Sequence, residues 1–148
     1  MYKRQVDAKR NFLRLTLEGF WTIDTVRAFA RDEQAAAARL SCAPGDHLVL
    51  ADLSHFKIQS QEVVAMCKAF IDGATNASRR LALVAGPGLA RIQYKRVMGR
   101  DAMRMFPTVA DAEAWLFEAM PAIAAPNMPV APQRHYRARA VPKIAGRL

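Results

Sequence analysis

Two short, continuously apolar runs, Leu48-Val49-Leu50-Ala51 and Leu81-Ala82-Leu83-Val84-Ala85, constrain this chain more than any other feature. Both are short for a helix, and neither shows the alternation that a sheet with one wet face imposes. Such runs belong to strands covered on both faces of a parallel sheet. Between them Ser60 is placed to cap a helix in which Val63, Cys67, Phe70 and Ala74 recur at helical spacing. Strand, helix and strand in this order form a right-handed crossover.

The flanking segments extend the pattern. Leu13, Leu15 and Leu17 alternate with polar residues over Phe12 to Glu18, the period of a half-buried strand. Tyr2 to Val6 reads as a weaker strand, turned back by Asp7 to Asn11 into a hairpin. Thr22 is a good N-cap, with Asp24 in the first turn, for a helix running to about Leu40 on the stripe Ile23, Val26, Ala30, Ala37 and Leu40. Gly86-Pro87-Gly88 halts the second apolar run, and a short basic helix follows from about Leu89 to Met98. Ala102 to Phe106 forms the last strand, and Thr108 with Asp111 opens a final helix through Trp115 and Leu116. The predicted order is β-β-α-β-α-β-α-β-α: an α/β fold with a mostly parallel central sheet flanked by helices.

Residues 1–120 are expected to form one such domain and residues 121–148 a disordered, basic, proline-rich tail. Pro121 closes the last helix, and Pro126, Pro129, Pro132 and Pro142 follow without hydrophobic periodicity. Of the net charge of +9, the segment up to Met120 carries +4 and the remainder +5, because no acidic residue lies beyond Glu118. Overall basicity is therefore weak guidance to the function of the folded part. Cys42 and Cys67 are too few for a disulfide framework and are expected to be reduced thiols. The charged N-terminus leads into no apolar signal region, and no apolar run approaches the ~20 residues of a membrane span. A soluble, cytoplasmic protein is expected.

The chemistry-bearing residues do not assemble into a recognisable catalytic motif. Asp52 sits at the carboxyl end of a parallel strand, where α/β sheets place ligands, and Ser54, His55 and Ser60 share the following loop. A Ser54-His55-Asp52 triad would need neighbouring loop residues to achieve a relay geometry they rarely reach, and no G-x-S-x-G elbow is present. Gly86 and Gly88 precede a helix but lack both the Walker ending and a full GxGxxG. His47, His55, His135, Cys42 and Cys67 show no metal-ligand spacing, and no cofactor is implied. Arg91, Lys95, Arg96 and Arg100 cluster with Tyr94 on the third helix as anion-binding candidates, with an ordinary solvated face as the alternative. Arg134, Arg137 and Arg139 around Tyr136 are candidates for contacts to phosphate and a stacked base.

Three stretches resemble the SpoIIAA-like branch of the STAS domains, the anti-sigma-factor antagonist family. They are Leu17-Glu18-Gly19-Phe20-Trp21-Thr22, Leu50-Ala51-Asp52-Leu53-Ser54, and Met105-Phe106-Pro107-Thr108 with Ala112-Glu113-Ala114-Trp115-Leu116. The resemblance spans roughly residues 2–118 and includes the element order. It implies a non-catalytic binding domain with a protein partner. Antagonist members carry a phosphorylated serine in an Asp-Ser-Ser-Gly pattern at the start of the second helix. Here Ser60 falls on the family's aspartate and Glu62 on its serine, so the usual switch is not carried over. Glu62 either mimics a phosphorylated state or simply complements the helix dipole. The resemblance also connects to Sec14-type lipid-binding folds.

Three functional readings follow. The first is a STAS-like regulatory or protein-interaction module that binds through Asp52, Ser54, His55, Ser60 and Glu62, bordered by Gly86 and Gly88. The second is a binding protein for a small lipid or anionic metabolite. The third is weak nucleic-acid or anionic-surface binding through the basic tail. An enzyme is the least expected.

Overall fold

A computed structural model of the chain describes residues 1–74, 77–99 and 101–119. The expectations for Arg100, Arg134, Arg137, Arg139 and the tail 121–148 lie outside these residues. Met1–Glu118 forms one compact unit.

The elements are β1 (Tyr2–Asp7), β2 (Phe12–Gly19), α1 (Ile23–Ala37), β3 (Leu48–Phe56), α2 (Gln61–Gly73), β4 (Arg80–Val84), α3 (Leu89–Lys95), β5 (Met103–Phe106) and α4 (Val109–Leu116). They form a five-stranded sheet in the order β1-β2-β3-β4-β5. β1 is antiparallel to β2, and every other neighbouring pair is parallel. The α/β class and the predicted element order both hold.

Alternation along the strands divides the core in two. Leu13, Leu15, Leu17, Val49, Ala51, Leu53 and Leu83 face one side, where they pack with Val26 and Phe29 of α1, Val63 of α2 and Tyr94 of α3. Phe12, Leu48, Leu50, Ala82 and Val84 face the other, against Ala112 and Leu116 of α4. Leu13 and Leu50 are fully buried on opposite faces, as the continuous apolar run required.

The caps follow the sequence. Thr22, Ser60 and Thr108 each accept a bond from the backbone N–H three residues on, at Thr25, Val63 and Asp111. Two helix ends differ from expectation. α1 stops at Ala37 and α3 at Lys95 because the next residues tighten into i−3 bonds: Leu40 N to Ala37 O, and Met98 N to Lys95 O. β3 is longer than its apolar run and carries Asp52, Ser54 and His55 inside the strand rather than in a loop. Its pairing to β4 ends at Asp52 opposite Val84, while its pairing to β2 runs on past a bulge to Phe56 opposite Gly19.

Candidate functional site

The predicted site residues are not gathered in one place. Asp52 and Ser54 alternate with the core-facing Ala51 and Leu53, so they lie on the sheet face opposite α1–α3. Oδ1 of Asp52 accepts bonds from both the backbone N–H of Ser54 (3.0 Å) and its hydroxyl (2.6 Å). The hydroxyl is thus given to a carboxylate, not to an imidazole nitrogen. His55 is exposed and stands across from Glu18. Among the described residues no group of three or more His, Cys, Asp or Glu side chains is placed to hold a metal.

Ser60 caps α2, and Glu62 is an exposed acid in its first turn. Gly88 occupies the N-cap position of α3 with φ 121°, a left-handed conformation open to glycine. Arg91 turns back and donates from Nη1 to the carbonyl of Ala85 at 3.1 Å, which ties the helix to the end of β4. Lys95 and Arg96 are exposed. Among its described residues, the predicted basic cluster therefore divides into one structural arginine and two solvated cations.

Sequence reasoning missed the residue that organises this end of the sheet. Gln59 is buried at the end of the β3–α2 loop. Its Oε1 accepts from the backbone N–H of Trp21 (2.8 Å), and its Nε2 donates to the carbonyls of Gly19 (2.9 Å) and Lys57 (2.7 Å). Its own backbone is paired with Gln93 of α3. The hydroxyl of Tyr94 donates to the carbonyl of Phe56 beside it. Burial pushes that phenol up to about 12.

Four large apolar side chains stand out from this base: Phe20 (75% exposed), Leu89 (72%), Ile92 (55%) and Ile58 (48%). Phe20 lies between Gly19 and Trp21, both bonded to Gln59; Ile58 precedes Gln59, and Ile92 precedes Gln93. Leu89 is one turn earlier on α3. Lys57 adjoins Ile58, and Lys95 and Arg96 lie one turn beyond Ile92. The result is an apolar rim with a basic border at the carboxyl end of the parallel strands.

Beneath this end, α1, α2 and α3 leave a cavity of about 130 Å³ over the sheet. Val49, Ala51 and Leu83 form its floor, and Phe29, Cys67, Phe70 and Tyr94 supply much of its helical wall. No lysine or arginine is among the described residues around it. Burial holds the Cys67 thiol up at about 11.

No protein-family model matches the sequence, and no curated protein is significantly similar to it. Solved structures are similar. An uncharacterized protein of the DUF3478 family with a SpoIIAA-like fold, from Shewanella loihica PV-4, matches with a TM-score of 0.60 at 15% identity, over 78% of this chain and 93% of that one. An anti-sigma factor antagonist from Mycobacterium paratuberculosis matches with a TM-score of 0.55 at 15% identity, over 78% of this chain and 94% of that one. With the strand order, the single antiparallel hairpin and the helix placement, these matches identify the architecture: the chain has the SpoIIAA-like, STAS-type α/β fold.

Proposed function

We propose that the domain is a non-catalytic regulatory module that docks a protein partner at the carboxyl end of its parallel strands. The observation that carries this reading is the convergence of Phe20, Ile58, Leu89 and Ile92 on one base built around Gln59. Single exposed apolar residues need no explanation, whereas a grouped set marks an interaction surface. Lys57, Lys95 and Arg96 border it, so the fitting partner presents apolar side chains flanked by carboxylates. A similar structure named as an anti-sigma factor antagonist supports a protein as that partner. Ser60 and Glu62 at the start of α2 adjoin the same loop.

The test is quantitative affinity capture with the wild-type chain and with Phe20→Asp/Ile92→Asp. The expected result is a protein recovered by the wild type and lost at least roughly ten-fold with the double variant, since truncating a central apolar anchor costs that much or more. Equal recovery by two chains of equal Tm overturns the reading.

The cavity favours a second reading, in which the domain holds a small apolar molecule between sheet and helices. With no cation among the described residues around it, an apolar guest fits better than the anionic metabolite of the second sequence-based expectation. Native mass spectrometry of gently purified protein tests this: a mass above that of the polypeptide supports it, and a bare polypeptide mass after exposure to apolar compounds opposes it.

A further inference from the structure

We propose that the cavity takes a compact, uncharged aromatic molecule of one or two rings rather than a long acyl chain. The proposal rests on the second reading above and adds the chemical class of the guest.

Size is the first argument. At about 130 Å³ the cavity is close to the roughly 150 Å³ apolar cavity that admits benzene in another protein, a volume suited to a small ring system.

The wall is the second argument. Phe29, Phe56, Phe70 and Tyr94 all border the space. Phe29 meets Phe70 edge-on at 6.1 Å and 77°, and Phe56 stacks on Tyr94 at 5.8 Å and 27°. Aromatic rings are therefore supplied to the wall from α1, β3, α2 and α3. A saturated guest of equal volume gains only buried area there. An aromatic guest also gains edge-to-face and offset contacts, which make it roughly two- to ten-fold tighter.

Polarity is the third argument. The Gln59 side chain is committed to Trp21, Gly19 and Lys57, and the Tyr94 hydroxyl to Phe56. Glu33 and Ser78, also at the wall, are engaged in contacts of their own. A guest rich in polar groups would surrender its hydration without replacement. The Cys67 thiol stays protonated at neutral pH, so it adds a polarisable neutral contact and no charge.

The experiment uses the full chain and four probes: toluene, indole, methylcyclohexane (matched to toluene in size) and myristate. Each is titrated while the methyl signals of Leu15, Val49 and Leu83, which face the cavity, and of the exposed Ile58 and Ile92 are followed by NMR. Toluene and indole are expected to shift these signals saturably, with toluene at least about three-fold tighter than methylcyclohexane. Val64→Phe, which fills the wall, should abolish binding, and Phe70→Leu should narrow the difference between toluene and methylcyclohexane. If Val64→Phe does not fold, Phe70→Leu decides the matter alone. Equal or tighter binding of methylcyclohexane, or displacement of toluene by myristate, overturns the aromatic class while leaving the cavity a ligand site. Shifts confined to Ile58 and Ile92 place the probe on the exterior and overturn the proposal. If none of the four probes binds, the class and the reading beneath it fall together.

Discussion

Gln59 and Gln93 are joined twice: the backbone N–H of Gln59 donates to Oε1 of Gln93 at 2.8 Å, and Nε2 of Gln93 donates to the backbone carbonyl of Gln59 at 2.8 Å. Gln93 thereby pairs with the main chain of the β3–α2 loop as a strand neighbour would. The Gln59 side chain does the same for the β2–α1 connection through Gly19 and Trp21. Three segments distant in sequence are fixed to one another by two amides, and the exposed rim is built on them.

Gln59→Leu should therefore destabilise the fold although it adds apolar character. It orphans the N–H of Trp21 and takes one of two donors from the carbonyls of Gly19 and Lys57, which keep the Lys57 N–H and the Tyr94 hydroxyl. An unsatisfied buried donor costs about 1–3 kcal/mol, so a loss of about 2 kcal/mol is expected. Urea unfolding with an unchanged m-value measures it. Gln93→Ala removes two bonds and should cost less.

Arg80 should matter more than a surface arginine. It is buried, its guanidinium lies 4.9 Å from the centre of the Trp115 ring, and Nη1 donates to the carbonyls of Trp115 and Glu118 at the end of α4. The cation meets the negative end of that helix dipole. Arg80→Met should cost about 2 kcal/mol and speed amide exchange in α4 ahead of the rest of the sheet. Uniform loss of protection would show that the contact is not specific to α4.

Stability should fall in alkali. Cys67 and Tyr94 both hold their protons more tightly when folded, at about 11 against an ordinary 9.0 and at about 12 against 10.0. The unfolded chain therefore releases protons first. The contribution is complete below pH 9 and is lost as pH rises from 9 to 12. Tyr94→Phe should flatten the upper part of this decline in a Tm-versus-pH series. The same elevation predicts slow alkylation of native Cys67 at pH 8, since little thiolate is present.

Rim and core should respond oppositely to substitution. Leu89→Asp, at an exposed site, should change stability by no more than about 0.5 kcal/mol. Leu50→Ala, at a fully buried site, should cost about 3 kcal/mol or more. Comparable losses at both positions would mean that Leu89 is covered.

Much of the fold was legible because period and length are strong signals in the two apolar runs and the Leu13-Leu15-Leu17 alternation. The full length of β3 is not legible, because Asp52, Ser54 and His55 look like loop chemistry. The strand continues since beyond Val84 it needs only β2 as a partner, and Asp52 satisfies Ser54 locally. The site was far less legible. Ser60 and Glu62 lie where capping rules put them, but Gln59 and Gln93 carry no sequence signature, because an amide's role depends on which distant carbonyls the fold brings to it. The cavity is likewise a shortfall of volume among residues whose pattern is that of an ordinary core.

Docking of a partner through the rim around Ile92 can be read out by site-specific photo-crosslinking. A benzophenone side chain is placed at Ile92 and, as a control, at the exposed Ala114 of α4, and the protein is irradiated in its native cellular extract. A discrete protein adduct is expected from position 92, absent from position 114 and lost when Phe20→Asp is added. An adduct formed equally from both positions, or one from position 92 that survives Phe20→Asp, would contradict it.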